Sequence, residues 1–191
     1  MPTGVALRDP REQLFAAAER VLLRDGPNAL TSRAVTDEAS VAKGVLHRHF
    51  ADFDAFLAEL VLDRIGRLDE RALRRSAGTG TVTDNLTAAL TGVFGPVAVA
   101  IVGLVTFRDG LRARLRQAGL AGIPLLAQAS AMIAAYLAAE RDLGRIAADA
   151  DVDTLALTLI GSAHLLFAGG DTPPAEVEVR KIVAAVVTNA G

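Results

Sequence analysis

The sequence has no cysteine and no tryptophan, and aromatic residues make up only 4% of its 191 positions. Without cysteine, disulfides and thiolate metal sites are excluded, and a reducing cytoplasm is the compartment expected. Strong net charge is also missing. The formal value is −2, so the chain as a whole is no polybasic nucleic-acid binder, and any such contact has to come from a local patch. Residues 1–50 carry seven Lys/Arg against six Asp/Glu, a slight positive bias, and the remainder is slightly acidic. A long hydrophobic run is lacking too. The longest, 93–107, falls short of the roughly 20 residues that a membrane span needs, and Gly95-Pro96 interrupts it. It reads as a buried core helix. No basic stretch followed by an apolar one opens the chain, so no secretory signal is expected. Alternating strand patterns and internal repeats are absent.

What is present is aliphatic: 51% of residues are hydrophobic, and the mean hydropathy is +0.35. Ala, Leu and Val in such proportion point to closely packed helices. Asp9-Pro10 is a helix start, with Asp9 as cap and Pro10 in the first turn. Leu14, Ala17, Ala18, Val21 and Leu22 then give one apolar face, and Gly26-Pro27-Asn28 ends it. A short helix capped by Thr31 or Ser32 is expected to about residue 39. Another is expected over 42–48. A long helix capped by Asp52 follows, with apolar spacing from Phe53 to Leu68 and a basic end at Arg71, Arg74 and Arg75. Gly78-Thr79-Gly80-Thr81 reads as a linker, near 77–82. Further helices are expected over 83–94, 97–107, 110–117, 124–142, 152–168 and 175–188. The fold class is therefore all-α.

Residues 31–50 carry the chemistry. Two short helices flank a tight turn at Ser40-Val41. Val35, Ala39, Val41, Leu46 and Phe50 point inward, and small Ala39 allows a close crossing. That is the form of a helix-turn-helix, whose second helix enters the major groove. Thr31 and Ser32 stand at a helix N-terminus, where a hydroxyl meets phosphate. Arg33 and Arg48 suit phosphate or guanine, and Lys43 reaches either. Lys43 is one of only two lysines in the chain, the other being Lys181. Ala42 and Gly44 let the backbone approach the duplex. Val45 can meet a thymine methyl, and His47 and His49 can donate to phosphate.

Over roughly residues 10–62 the chain resembles a TetR-family DNA-binding domain. The shared elements are Ala17-Ala18, Gly26, Leu30-Thr31-Ser32-Arg33, Ala39-x-Val41-x-Lys43-Gly44, Leu46-His47-x-His49-Phe50 and Asp52. It departs from the family's usual pattern at three places. Ser40 stands where the turn usually has Gly, His47 and His49 stand where Tyr is usual, and Phe53 stands where a lysine is common. The resemblance implies an N-terminal helix-turn-helix domain (1–52) and a C-terminal effector-binding and dimerisation domain (53–191), joined by the long fourth helix. It implies a ligand-responsive regulator, a repressor, that binds a palindromic double-stranded DNA operator as a homodimer and is released by a small, mostly apolar effector. A regulator controlled instead by a protein partner is the alternative.

The second part offers candidates. Phe94, Ile101, Val105, Phe107, Leu126, Met132, Tyr136 and Phe167 are expected around an effector, with Arg108, Gln128 and His164 joining Tyr136 as polar handles. Leu155, Leu159, Ser162 and Leu166, with Ile182, Val183, Val186 and Val187, are expected to line a four-helix dimer interface. Catalysis is not expected: Ser162 and His164 are neighbours without a nucleophile elbow, and Asp149 and Asp151 sit in a helix-capping stretch. No cofactor is implied. No metal is expected either, because two residues apart on a helix His47 and His49 point in different directions.

Overall fold

A computed structural model describes residues 9–170 and 172–188. Among these, every regular element is helical. They are α1 (Pro10–Asp25), α2 (Ser32–Glu38), α3 (Gly44–His49), α4 (Phe53–Gly66), α5 (Glu70–Arg75), α6 (Val82–Val93), α7 (Pro96–Phe107), α8 (Asp109–Gln117), α9 (Pro124–Asp142), α10 (Val152–Ala168) and α11 (Glu176–Thr188).

Side-chain caps place most of the starts. Asp9 accepts from the Arg11 N–H, Thr31 from Ala34, Asp52 from Ala55 and Asp151 from Thr154, each satisfying a donor with no partner inside its helix. Of the two residues expected to cap α2, Thr31 does so. The long fourth helix does not run unbroken to the arginines. It stops at Gly66, and Asp69 caps a separate helix by accepting from the Ala72 N–H at 2.8 Å. An aspartate inside a helical pattern competes for backbone donors, and here it wins.

The buried side chains form two apolar cores. The first joins α1–α4 to Ala98, Ile101, Val102, Leu104 and Val105 of α7, Leu111 and Leu115 of α8, and Leu125. The second joins Leu73 and α6 to α9, α10 and α11. A bend of 61° between α6 and α7, at Gly95-Pro96, carries the chain from one core to the other. No single helix among the described residues is long and apolar enough to cross a membrane.

The segment expected as a linker is pinned. The Gly78 N–H donates to Glu140 at 3.3 Å, and an Arg145 guanidinium N–H donates to the Gly80 carbonyl. Glu140 is fully buried. It accepts from the Tyr136 hydroxyl at 2.6 Å and faces Arg145 at 3.3 Å. Asn85 donates to the Tyr136 oxygen and to the carbonyls of Ser76 and Thr79. Burial, and then the bond to Glu140, push the Tyr136 phenol above its ordinary pKa. A buried carboxylate that loses a donor keeps its desolvation cost. Tyr136→Phe is therefore expected to destabilise the protein by about 2 kcal/mol, read from the midpoint of urea unfolding.

Candidate nucleic-acid interface

The inner side of the helix-turn-helix is held by packing and by ion pairs. Val35, Ala39, Leu46 and Phe50 are buried. The Phe50 ring meets Phe15 and, edge-on, Phe56, which ties α3 to both α1 and α4. Arg11 of α1 covers the Phe50 ring at 5.0 Å and pairs with Glu59 of α4. Arg20 and Arg24 of α1 both grip Glu38 of α2, at 2.7 and 2.8 Å, and hold its carboxyl below the usual carboxylate range. Gln13 donates to the Ala39 carbonyl at 2.8 Å, fixing the entry to the turn. In the turn the Val41 N–H donates to Thr36 at 3.1 Å, and Ser40 adopts a φ of 55°. That left-handed conformation is the one the usual glycine takes without strain.

The outer side is open. Thr31, Arg33, Ala42, Lys43, Gly44, His47, Arg48 and His49 are exposed, and Ser32 and Val45 are half-buried. The structure thus brings all ten predicted DNA-contact residues into one module. Among the described residues no carboxylate pairs with Lys43 or Arg48, whereas Arg33 lies 3.5 Å from exposed Asp37. The recognition helix α3 starts at Gly44, two residues later than the sequence suggested, so Lys43 sits at its N-cap position and Ala42 in the turn. Its outer residues are Gly44, Arg48 and two histidines and its inner ones apolar, which is the division that groove entry requires.

A clamp joins this module to the rest. Asp52 and Asp54, at the start of α4, pair with Arg114 of α8 and with Arg108 at the α7–α8 junction. The Arg108 guanidinium also lies 5.2 Å from the centre of the Phe53 ring. Arg108, expected as a ligand handle, is therefore engaged here.

The other predicted effector residues do not converge. Ile101 and Val105 are buried in the first core, Leu126 bridges both cores, and Phe107 and Gln128 are exposed. Phe94 stacks on Phe167 at 5.6 Å beside His164. Tyr136 is engaged by Glu140. Two cavities among the described residues each have one predicted effector residue in their walls. One of about 350 Å³ lies between the α4–α5 break and α6, with Met132 of α9 in its wall. The other, about 250 Å³, lies between Leu23 of α1, the start of α7 and the α10–α11 turn, with Phe167 in its wall. Sequence reasoning missed Arg67, Leu68, Leu73, Ala88, Ala89, Gly92 and Val93 of the larger cavity. The signal was the row of small residues in α6, which leaves space beside it.

The predicted dimer stripe is partly engaged within the chain. Leu159 and Val183 are fully buried in the chain's own second core, and Leu155, Leu166, Val186 and Val187 pack against it. Ser162 and Ile182 are half-buried. The outward face of α10 instead carries Leu157 and Leu165, 65% and 74% exposed, with exposed Gly161 between them.

This architecture is a three-helix module of helix-turn-helix form, with a basic open face, built onto a larger helical body. Residues 14–60 match the model of "Bacterial regulatory proteins, tetR family". This segment is thus similar to the DNA-binding domain of the TetR family. Solved structures share the fold along nearly the whole length. A protein described as a TetR-family transcriptional regulator from Rhodococcus sp. superposes with a TM-score of 0.69 at 19% identity, covering 95% of this chain and 98% of its own. The fatty acid degradation regulator FadR from Bacillus halodurans gives 0.72 at 15%, with 96% and 97% covered. FadR from Bacillus subtilis, in complex with stearoyl-CoA, gives 0.72 at 14%, with 94% and 99% covered. No curated protein matches the sequence.

The turn yields a prediction. Ser40→Gly removes the left-handed strain without touching the outer face. It is expected to raise stability by about 1 kcal/mol, seen as a higher Tm by calorimetry, with operator affinity unchanged.

Proposed function

We propose that the protein is a homodimeric, ligand-responsive repressor whose two α3 helices read half-sites about one DNA turn apart in a roughly palindromic operator. The observation that carries this reading is the open cationic face of Lys43, Arg48 and Arg33, rigidly tied through α4 to a body that holds a cavity. Residues 1–52 supply the DNA-reading part and 53–191 the effector and dimerisation part. An effector that favours another spacing of the two recognition helices shifts the population and releases DNA.

The dimer surface we assign is the outward face of α10. Leu157, Gly161 and Leu165 follow one another at four-residue intervals and so lie along one stripe. Exposed leucines at both ends and a glycine between them suit close helix-to-helix approach by a second copy.

Selection of bound DNA with the purified protein identifies the operator and starts the test. Lys43→Ala and Arg48→Ala are each expected to weaken operator binding and to lower the slope of log affinity against log salt by about one. Unchanged affinity and slope in both variants would sink the DNA-reading assignment. Leu157→Glu combined with Leu165→Glu is expected to give a folded monomer by sedimentation velocity. A variant that stays dimeric would place the interface elsewhere.

A further inference from the structure

The larger cavity has one cationic group in its wall, and that group also touches the DNA-reading module. Arg67 caps the end of α4 and lines the cavity, with its side chain half exposed. Its guanidinium pairs with Asp63 at 2.7 Å and reaches Glu19 of α1 at 3.9 Å. The latter distance leaves N–H donors uncommitted. The other charged wall residue, Asp69, already accepts from the Ala72 N–H as the cap of α5.

The surroundings favour negative charge in a ligand. Residues 67–75 contain four arginines (67, 71, 74 and 75) against Asp69 and Glu70. Arg71, Arg74 and Arg75 are exposed, and among the described residues no carboxylate pairs with them. Ser76 and Asn85 are the wall's uncharged polar residues. Ser76 is engaged with the Leu73 carbonyl, and Asn85 with Tyr136 and backbone carbonyls. The remainder is apolar, chiefly Leu68, Leu73, Val93 and Met132. Gly92 keeps the cavity wide: a Cβ there would meet nothing within 4 Å. A helical glycine costs about 1 kcal/mol relative to alanine, and no close neighbour demands it. The volume, about 350 Å³, is at the small end of the range for ligand sites.

We propose that the cavity at the α4–α5 break binds a small amphipathic carboxylate, with the apolar body against Leu68, Leu73 and Met132 and the carboxylate on Arg67. This rests on the ligand-responsive reading given above and assigns its site and ligand class. The bound carboxylate takes up the free donors of Arg67 and competes with Glu19 for the guanidinium. Occupancy is thereby felt where α4 meets α1.

The sequence supplies a probe, because Met132 and Met1 are its only methionines. In full-length protein labelled with ¹³C at the methionine methyls, Met132→Leu assigns the resonance. Octanoate is expected to shift the Met132 signal, with octanol and octylamine binding at least tenfold more weakly. Arg67→Gln is expected to abolish that preference, and Ala89→Leu, which fills the cavity, is expected to abolish binding. The proposal is overturned if octanoate leaves Met132 unmoved, if the neutral or cationic analogue titrates equally, or if Arg67→Gln binds octanoate as the parent does. Octanoate that shifts Met132 through Arg67 while operator affinity stays constant upholds the site and ligand class, and counts against the ligand-responsive reading alone.

Discussion

The burial of one face of α4 is the constraint on which the rest depends. Phe56, Leu57, Leu60 and Val61 are inaccessible to solvent, on a helix packed with α1, α3, α8 and α9. Each such side chain contributes about 1.5–3 kcal/mol by leaving water. Polar contacts then fix how the helix sits. Asp52 and Asp54 pin its start to α8 and the α7–α8 junction, Glu59 holds Arg11 of α1, and Asp63 holds Arg67 at its end. Surface ion pairs of this kind add little energy singly. Arranged along one helix whose inner face is already packed, they set its rotation and tilt, and with them the position of α3.

Much of this was legible from residue types. Asp9, Thr31, Asp52 and Asp151 announce their helices because a short oxygen-bearing side chain next to an apolar-periodic run has one good use. The DNA-reading module was legible for a related reason. Its inner residues must be small or apolar at fixed spacing, and its outer residues must be cationic, small or hydroxylated. The proposed DNA contacts need only exposure, so placing the helices places the candidates. Ser40 shows the limit at that level: the turn forms with its left-handed φ even though the residue is not glycine.

The proposed effector and dimer surfaces were harder to read. Helix α10 has leucine at 155, 157, 159, 165 and 166, so its apolar surface wraps most of the cylinder. Hydrophobicity alone then cannot give its phase, and Leu159 proves to face inward while Leu157 and Leu165 face out. The cavity was hidden for a different reason. Large residues announce a core, but a cavity is made by what is small, and Ala88, Ala89 and Gly92 read as an ordinary helix. The break after Gly66 depends on Asp69 winning a cap that nearby helical spacing disguises.

The 61° bend at Gly95-Pro96 has a consequence for how the chain becomes a protein. In chain order, helices α1–α4 enter the first core, α5 and α6 the second, α7 and α8 the first again, and α9–α11 mainly the second. The two cores are interleaved along the polypeptide rather than laid end to end. A nascent chain that has emerged only as far as α6 still lacks Ile101, Val105, Leu111 and Leu115, which close the first core over α1 and α4. The DNA-reading end is therefore synthesised first, yet its core is complete only after α8 has left the ribosome. No single cut in the sequence separates one finished core from the other.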